Sequence, residues 1–172
     1  MKRILVLASV ILLGSPGPAN AALPDDIAVG AHVEVEGTLT GPAEVTAKEV
    51  QLKRGGSKNE VEGAIDSVDP ASRSLVIAGV KVALEPSADL RGDHDVPIDF
   101  SALSPGLAAE AQGRFENGVL RANALNTDEL DPDETRDVEV EGIVTSVDAA
   151  AGSFQVMGLR ILLTPRTKVV AP

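Results

Sequence analysis

Residues 60–90 align without a gap on residues 139–169, 79 positions further on. Glu60-Val61-Glu62-Gly63 recurs as Glu139-Val140-Glu141-Gly142, Ser67-Val68-Asp69 as Ser146-Val147-Asp148, and Gly79 and Pro86 as Gly158 and Pro165. A shorter unit repeats 76 positions apart, pairing Ile27 and Gly30 with Leu103 and Gly106, Glu34 with Glu110, and Gly37 with Gly113. One inserted residue later, Ala47 and Val50 match Ala122 and Leu125. With the longer unit called A and the shorter B, the chain reads B-A-B-A, and a duplication this regular constrains the fold before any other feature.

Each unit has the period of a strand. In Val33-Glu34-Val35-Glu36 and Val138-Glu139-Val140-Glu141 valines alternate with carboxylates, as in a strand with one buried face. Val80, Val82 and Leu84, and in the second copy Leu159, Ile161 and Leu163, alternate with more polar neighbours. Asp69-Pro70 and Asp148 open turns, and Asn117-Gly118 between two alternating runs is a strong hairpin signal. Unit A therefore predicts three strands, near 60–69, 73–78 and 79–85, and unit B two, near 106–116 and 119–126. Gly63 and Gly142 are expected at equivalent bends or bulges of the first A strand, where the apolar alternation shifts register.

Three strands, a connection with room for a short helix and two more strands is the order of an OB-fold, a small five-stranded barrel. The recurring V-E-G-x-[IV]-x-S-V-D, the apolar pair around Gly79 or Gly158 and the G-x-x-x-E-x-x-G of each B unit resemble the bacterial domain-of-unknown-function family 5666 over residues 25–170. That resemblance implies exported, β-rich proteins, often in tandem, with no assigned activity and no catalytic residues to carry over. Similarity to periplasmic bacterial OB-fold proteins rests on compartment and topology. The chain departs from a simple tandem: residues 59–126 hold one complete A-B set, while the B unit at 27–52 and the A unit at 138–170 lack neighbours. The expected fold is all-β, tandem OB-fold-like small β-barrels, one complete and a second closed from the two ends of the chain. Strand exchange between molecules is the alternative.

Residues 1–21 carry the marks of a secretory signal peptide: Lys2 and Arg3, the apolar run Ile4 to Leu13, helix breakers, and Ala19-Asn20-Ala21. The apolar run is about half the length that spans a bilayer, so the expected product is periplasmic or secreted, starts at Ala22, and has no membrane span after cleavage. Its loss of Lys2 and Arg3 makes a formal charge of −11 two units more negative.

That charge bears directly on function. An OB-fold suggests nucleic acid, which needs aromatic platforms over a cationic groove. With no Tyr or Trp, three dispersed Phe and a surplus of carboxylates repelling phosphate, nucleic acid is excluded as a partner. No cysteine is present, so thiol chemistry and Cys-ligated metals are excluded. There is no G-x-S-x-G elbow, Gly55-Gly56-Ser57-Lys58 lacks the spacing of a P-loop, and His32 reads as a surface strand residue beside Glu34. No catalytic residue and no cofactor is assigned, and the protein reads as a non-enzyme.

One cluster mixes metal-ligand types: Asp93, His94 and Asp95, flanked by Asp89 and Asp99, could offer carboxylate oxygens and an imidazole to a divalent cation. A polar turn is the simpler account of the same residues. The segment 127–137 holds six acids against Arg136 and reads as a solvated linker without the glycine pivot of an EF-hand. Two functions remain: a binding or interaction module of the envelope, its partner an unknown envelope protein or small ligand, and a binder of divalent cations or cationic ligands.

Overall fold

The computed structural model describes residues 21–129 and 136–171. Most of the expected signal peptide (1–21) and the centre of the acidic linker (127–137) lie outside the described residues. The fold is all-β. In chain order the strands are β1 (His32–Gly41), β2 (Glu44–Leu52), β3 (Asn59–Asp69), β4 (Ser74–Ile77), β5 (Val80–Gly92), β6 (Val96–Pro97), β7 (Ala108–Glu116), β8 (Val119–Asp128), β9 (Asp137–Asp148), β10 (Ser153–Val156), β11 (Leu159–Leu162) and β12 (Lys168–Val170).

Three hairpins follow from local turn chemistry. Ala78-Gly79, Asn117-Gly118 and Met157-Gly158 each form a two-residue loop with positive φ at both positions, the geometry whose twist matches paired strands. Between them, β3, β4, β5, β8 and β7 form a closed five-stranded barrel: β3 pairs with β4, β4 with β5, β5 in parallel with β8, β8 with β7, and β7 back with β3. Closure leaves no free edge in this set. The third strand runs on to Gly92, past the expected end at residue 85, because its second half keeps pairing with β8 at Asp89, Leu90 and Arg91 after an interruption in the ladder. The connection expected to hold a short helix contains two 3-10 turns, Asp93–Asp95 and Phe100–Ala102.

The other strands are linked in the same sense. β9 pairs with β10 and with β1, β10 with β11, β11 in parallel with β2, and β2 with β1. Leu103 in one set and its counterpart Ile27 in the other are both buried. Gly30 and Gly106, three residues beyond them, share a φ of 92° and donate N–H to the carbonyls of Val144 and Ile65, themselves repeat equivalents.

Gly63 and Gly142 do not carry the bulges of their strands. The register shift in β3 falls between Ile65 and Ser67, at Asp66, and that in β9 at its equivalent, Thr145. The glycines mark a change of neighbour: one edge of β3 pairs with β9 up to Glu62 and with β4 from Ile65, and β9 passes likewise from β3 to β10. A Cβ at Gly63 would stand 2.9 Å from Ala78 Cβ, and one at Gly142 3.1 Å from Val156 Cγ1. In the B units the bulges do lie at glycines. Gly37 and Gly113 face the extra residues Lys48 and Asn123, and a Cβ there would stand 2.6 Å and 2.0 Å from the carbonyl oxygens of Thr46 and Arg121.

Candidate functional site at the strand junction

β3 and β9 meet antiparallel through Glu60↔Glu141, Val61↔Val140 and Glu62↔Glu139. Because residues 60–62 and 139–141 are repeat equivalents, this pairing relates the two strand sets by a local twofold centred on Val61 and Val140. It also makes β1, β9, β3 and β7 one continuous four-stranded sheet. Strand alternation sorts its side chains by face. Val35, Val140, Val61 and Ala111 form an inward row, all fully buried.

The outward rows are acidic. Glu36, Glu139, Glu62 and Glu110 stand directly opposite one another across the four strands, and Glu34, Glu141, Glu60 and Gln112 form the row beside them. Like charges directly opposite in a sheet destabilise it. The second row is partly neutralised: Lys53 Nζ lies 2.6 Å from Glu34, and Lys58 Nζ 2.8 Å from Glu60 and 3.7 Å from Glu141. Burial pushes the Glu60 carboxyl above its ordinary range, Lys58 pulls it down, and a hydrogen bond with Glu110 pushes it up again.

In the first row Glu139 has no cation within ion-pair distance among the described residues. Burial raises its carboxyl first, and Glu34, Glu62, Glu36 and Glu60 add to the effect. An open cleft of about 240 Å³ lies over this row between Glu36, Glu62 and Glu139, with Lys48 and Asp137 at its rim, 2.8 Å from each other.

His32 is buried, contrary to its reading as a surface residue. Nδ1 lies 3.2 Å from the Gly55 carbonyl oxygen, and Nε2 lies 3.1 Å from that of Lys58 and 3.3 Å from Glu141. The ring thus fastens the connection between β2 and β3 onto the junction, and the basic group Lys53 and Lys58 serves there as counter-charge. Alternation placed His32 on the polar face correctly. Its burial depends on a connection folding over it, which period-2 patterning does not report.

Asp93, His94 and Asp95 form an exposed turn at the far end of the acidic row. His94 Nδ1 lies 2.6 Å from Asp93 Oδ2, and Arg91 Nε lies 2.9 Å from Asp89 and 4.0 Å from Asp95. The turn lines an open cleft of about 390 Å³ with Arg91, Glu62, Glu110 and Asp128. Among the described residues no group of three or more His, Asp or Glu side chains is arranged to hold a metal ion. The sequence singled out this turn and missed the larger feature, the acidic rows, although the paired Val-Glu-Val-Glu segments were its signal.

Fold and surface together define the class: an all-β protein built on a closed five-stranded barrel, with a carboxylate-rich sheet continuing beyond it. The chain belongs to the family described as Domain of unknown function (DUF5666), which matches residues 17–51, 62–125 and 141–171. The matched segments follow the B, A-B and A units of the duplication. No curated protein and no solved structure matches the chain.

Proposed function

We propose that this protein is an exported, non-enzymatic binding module of the bacterial envelope, made of two OB-like barrels, that engages a cationic ligand or partner on the junction sheet. The two-barrel reading is supported by strand order. Counted from its first A strand, the complete barrel runs first, second, third, fifth, fourth and back to first, with the third and fifth parallel. The strands β9, β10, β11, β2 and β1 repeat that order, with β11 and β2 parallel, as a circularly permuted copy assembled from residues 27–52 and 138–170.

The observation that carries the function is the row Glu36-Glu139-Glu62-Glu110. It sets four carboxylates directly opposite one another on rigid strands, a cost to folding that a cationic ligand would relieve. Places where a sequence violates a local folding rule tend to be places of function. Primary and quaternary amines, or the lysine-rich face of a partner protein, fit a flat acidic row better than a small hard cation, which requires converging oxygens.

A ligand that binds the folded state raises its melting midpoint by mass action. Spermidine should therefore raise the midpoint of the mature protein, and the triple variant Glu36→Gln/Glu62→Gln/Glu110→Gln should abolish the rise. A midpoint indifferent to spermidine and to a lysine-rich peptide would sink the proposal. The second reading, a divalent-cation site at Asp93, His94 and Asp95, is favoured by their cleft shared with Glu62 and Glu110. A rise with calcium that is lost in Asp93→Asn/Asp95→Asn would select it. Intact mass of the exported protein tests the compartment, with cleavage before Ala22 expected.

A further inference from the structure

The complete barrel carries a surface of opposite charge at the other end of β7 and β8. Arg114 on β7 stands directly opposite Arg121 on β8, next to the bulge at Gly113 and Asn123. Both are exposed, and they line an open cleft of about 600 Å³ together with Lys58, Gln112, Asn123 and Glu85. Two like charges directly opposite on a strand pair oppose folding. Arg114 reaches one carboxylate, Glu116, at 3.5 Å, and Arg121 has no ion-pair partner among the described residues.

The duplication supplies an internal control. At the equivalent positions of β1 and β2, Thr38 stands opposite Thr46, beside the same kind of bulge, at Gly37 and Lys48. The strand pair and its bulge are thus built with no cation at either of these two positions, so the arginines are not needed for the architecture. Each guanidinium presents a planar fork of donors that matches carboxylate and phosphate oxygens. The side-chain amides of Gln112 and Asn123 add uncharged donors at the same cleft.

We infer that Arg114 and Arg121 form an oxyanion site that takes the phosphoryl or carboxylate group of a compact ligand. Glu85 within the cleft and Glu116, 3.5 Å from Arg114, make a long polyanion a poor fit, since it would run from the arginines onto carboxylates. This site goes beyond the junction reading and stands or falls without it, because its probe is an anion and its two arginines lie outside the acidic rows.

The test titrates inorganic phosphate into the mature protein and follows backbone amide resonances, alongside sedimentation with phosphatidylglycerol-containing vesicles and vesicles of phosphatidylcholine alone. Saturable shifts at residues 112–114 and 121–123 are expected. The variant Arg114→Thr/Arg121→Thr, which copies the threonines of the duplicate, should melt at or slightly above the wild type and lose affinity by on the order of tenfold or more. If that variant is destabilised, Arg121→Gln alone should reproduce the loss. Binding of free phosphate assigns a soluble source, whereas binding to the anionic vesicles that phosphate does not displace assigns a lipid headgroup. No saturable response to either probe, or binding that survives in the folded variant, overturns the inference.

Discussion

Replacing Glu139 by Gln should stabilise the protein at neutral pH. Glu139 is half-buried between Glu36 and Glu62, which stand directly opposite it on either side. A like-charged pair so placed costs roughly 0.2–1 kcal/mol, so removing one charge from two such pairs is worth about 1 kcal/mol. Glutamine keeps the shape, and its amide can donate to either flanking carboxylate. For a chain of this size that corresponds to a rise in Tm of about 2–4 °C. The pH dependence follows from the direction of the shift. Burial and the neighbouring glutamates hold the folded-state carboxyl above its ordinary value, so the folded state binds the proton more tightly than the unfolded chain does. The resulting stability is fully present below the unfolded value, roughly 4.3, and is lost as pH rises through the folded one. Wild type and variant should therefore differ most near neutrality and converge at lower pH. Urea denaturation across that range measures the difference, and a repeat in concentrated salt should shrink it. A variant less stable than wild type at neutral pH, or a gain that persists after acidification, would refute the claim that charge crowding governs this row.

Glycine substitutions at the B-unit bulges should rank by backbone clearance: Gly113→Ala, whose Cβ would meet the Arg121 carbonyl at 2.0 Å, should cost more than Gly37→Ala at 2.6 Å. Both should exceed the roughly 1 kcal/mol expected for Gly118→Ala, which has positive φ and open space around it. Thermal melts of the three variants decide the order. Lys58→Met should destabilise by about 1–3 kcal/mol at neutral pH by leaving the buried Glu60 without its cation. Sign and direction again set the pH course, since the penalty exists only while Glu60 is ionised and should fade on acidification. Ile27→Ala and Leu103→Ala, equivalent buried residues, should each cost about 2–5 kcal/mol, and a cost near zero for Ile27 would show that the N-terminal segment does not complete its strand set.

What the amino-acid sequence determined by itself is what depends on neighbours along the chain. The alternation of Val33 to Glu36 and Val138 to Glu141 requires a strand with one buried face, Asn117-Gly118 requires a tight hairpin, and the regular offsets mark a duplication. Family membership was legible for the same reason, since V-E-G-x-[IV]-x-S-V-D is a contiguous pattern. Gly63 and Gly142 are legible as places of bend or close approach, but whether the bulge itself falls there is not, because glycine permits a bulge without requiring one. Its position, at Asp66 and Thr145, comes from the ladder with the neighbouring strand. The acidic rows had the same origin: each glutamate was visible, yet its opposite number is set by register, and one residue of slip would turn every carboxylate to the other face. Alternation puts His32 on the polar side, and it is buried there because the residues 53–58 fold back over it. Strand pairing joins residues far apart in the chain, from His32 with Ile143 to Glu60 with Glu141, and only the folded chain brings such groups within reach of one another's charge.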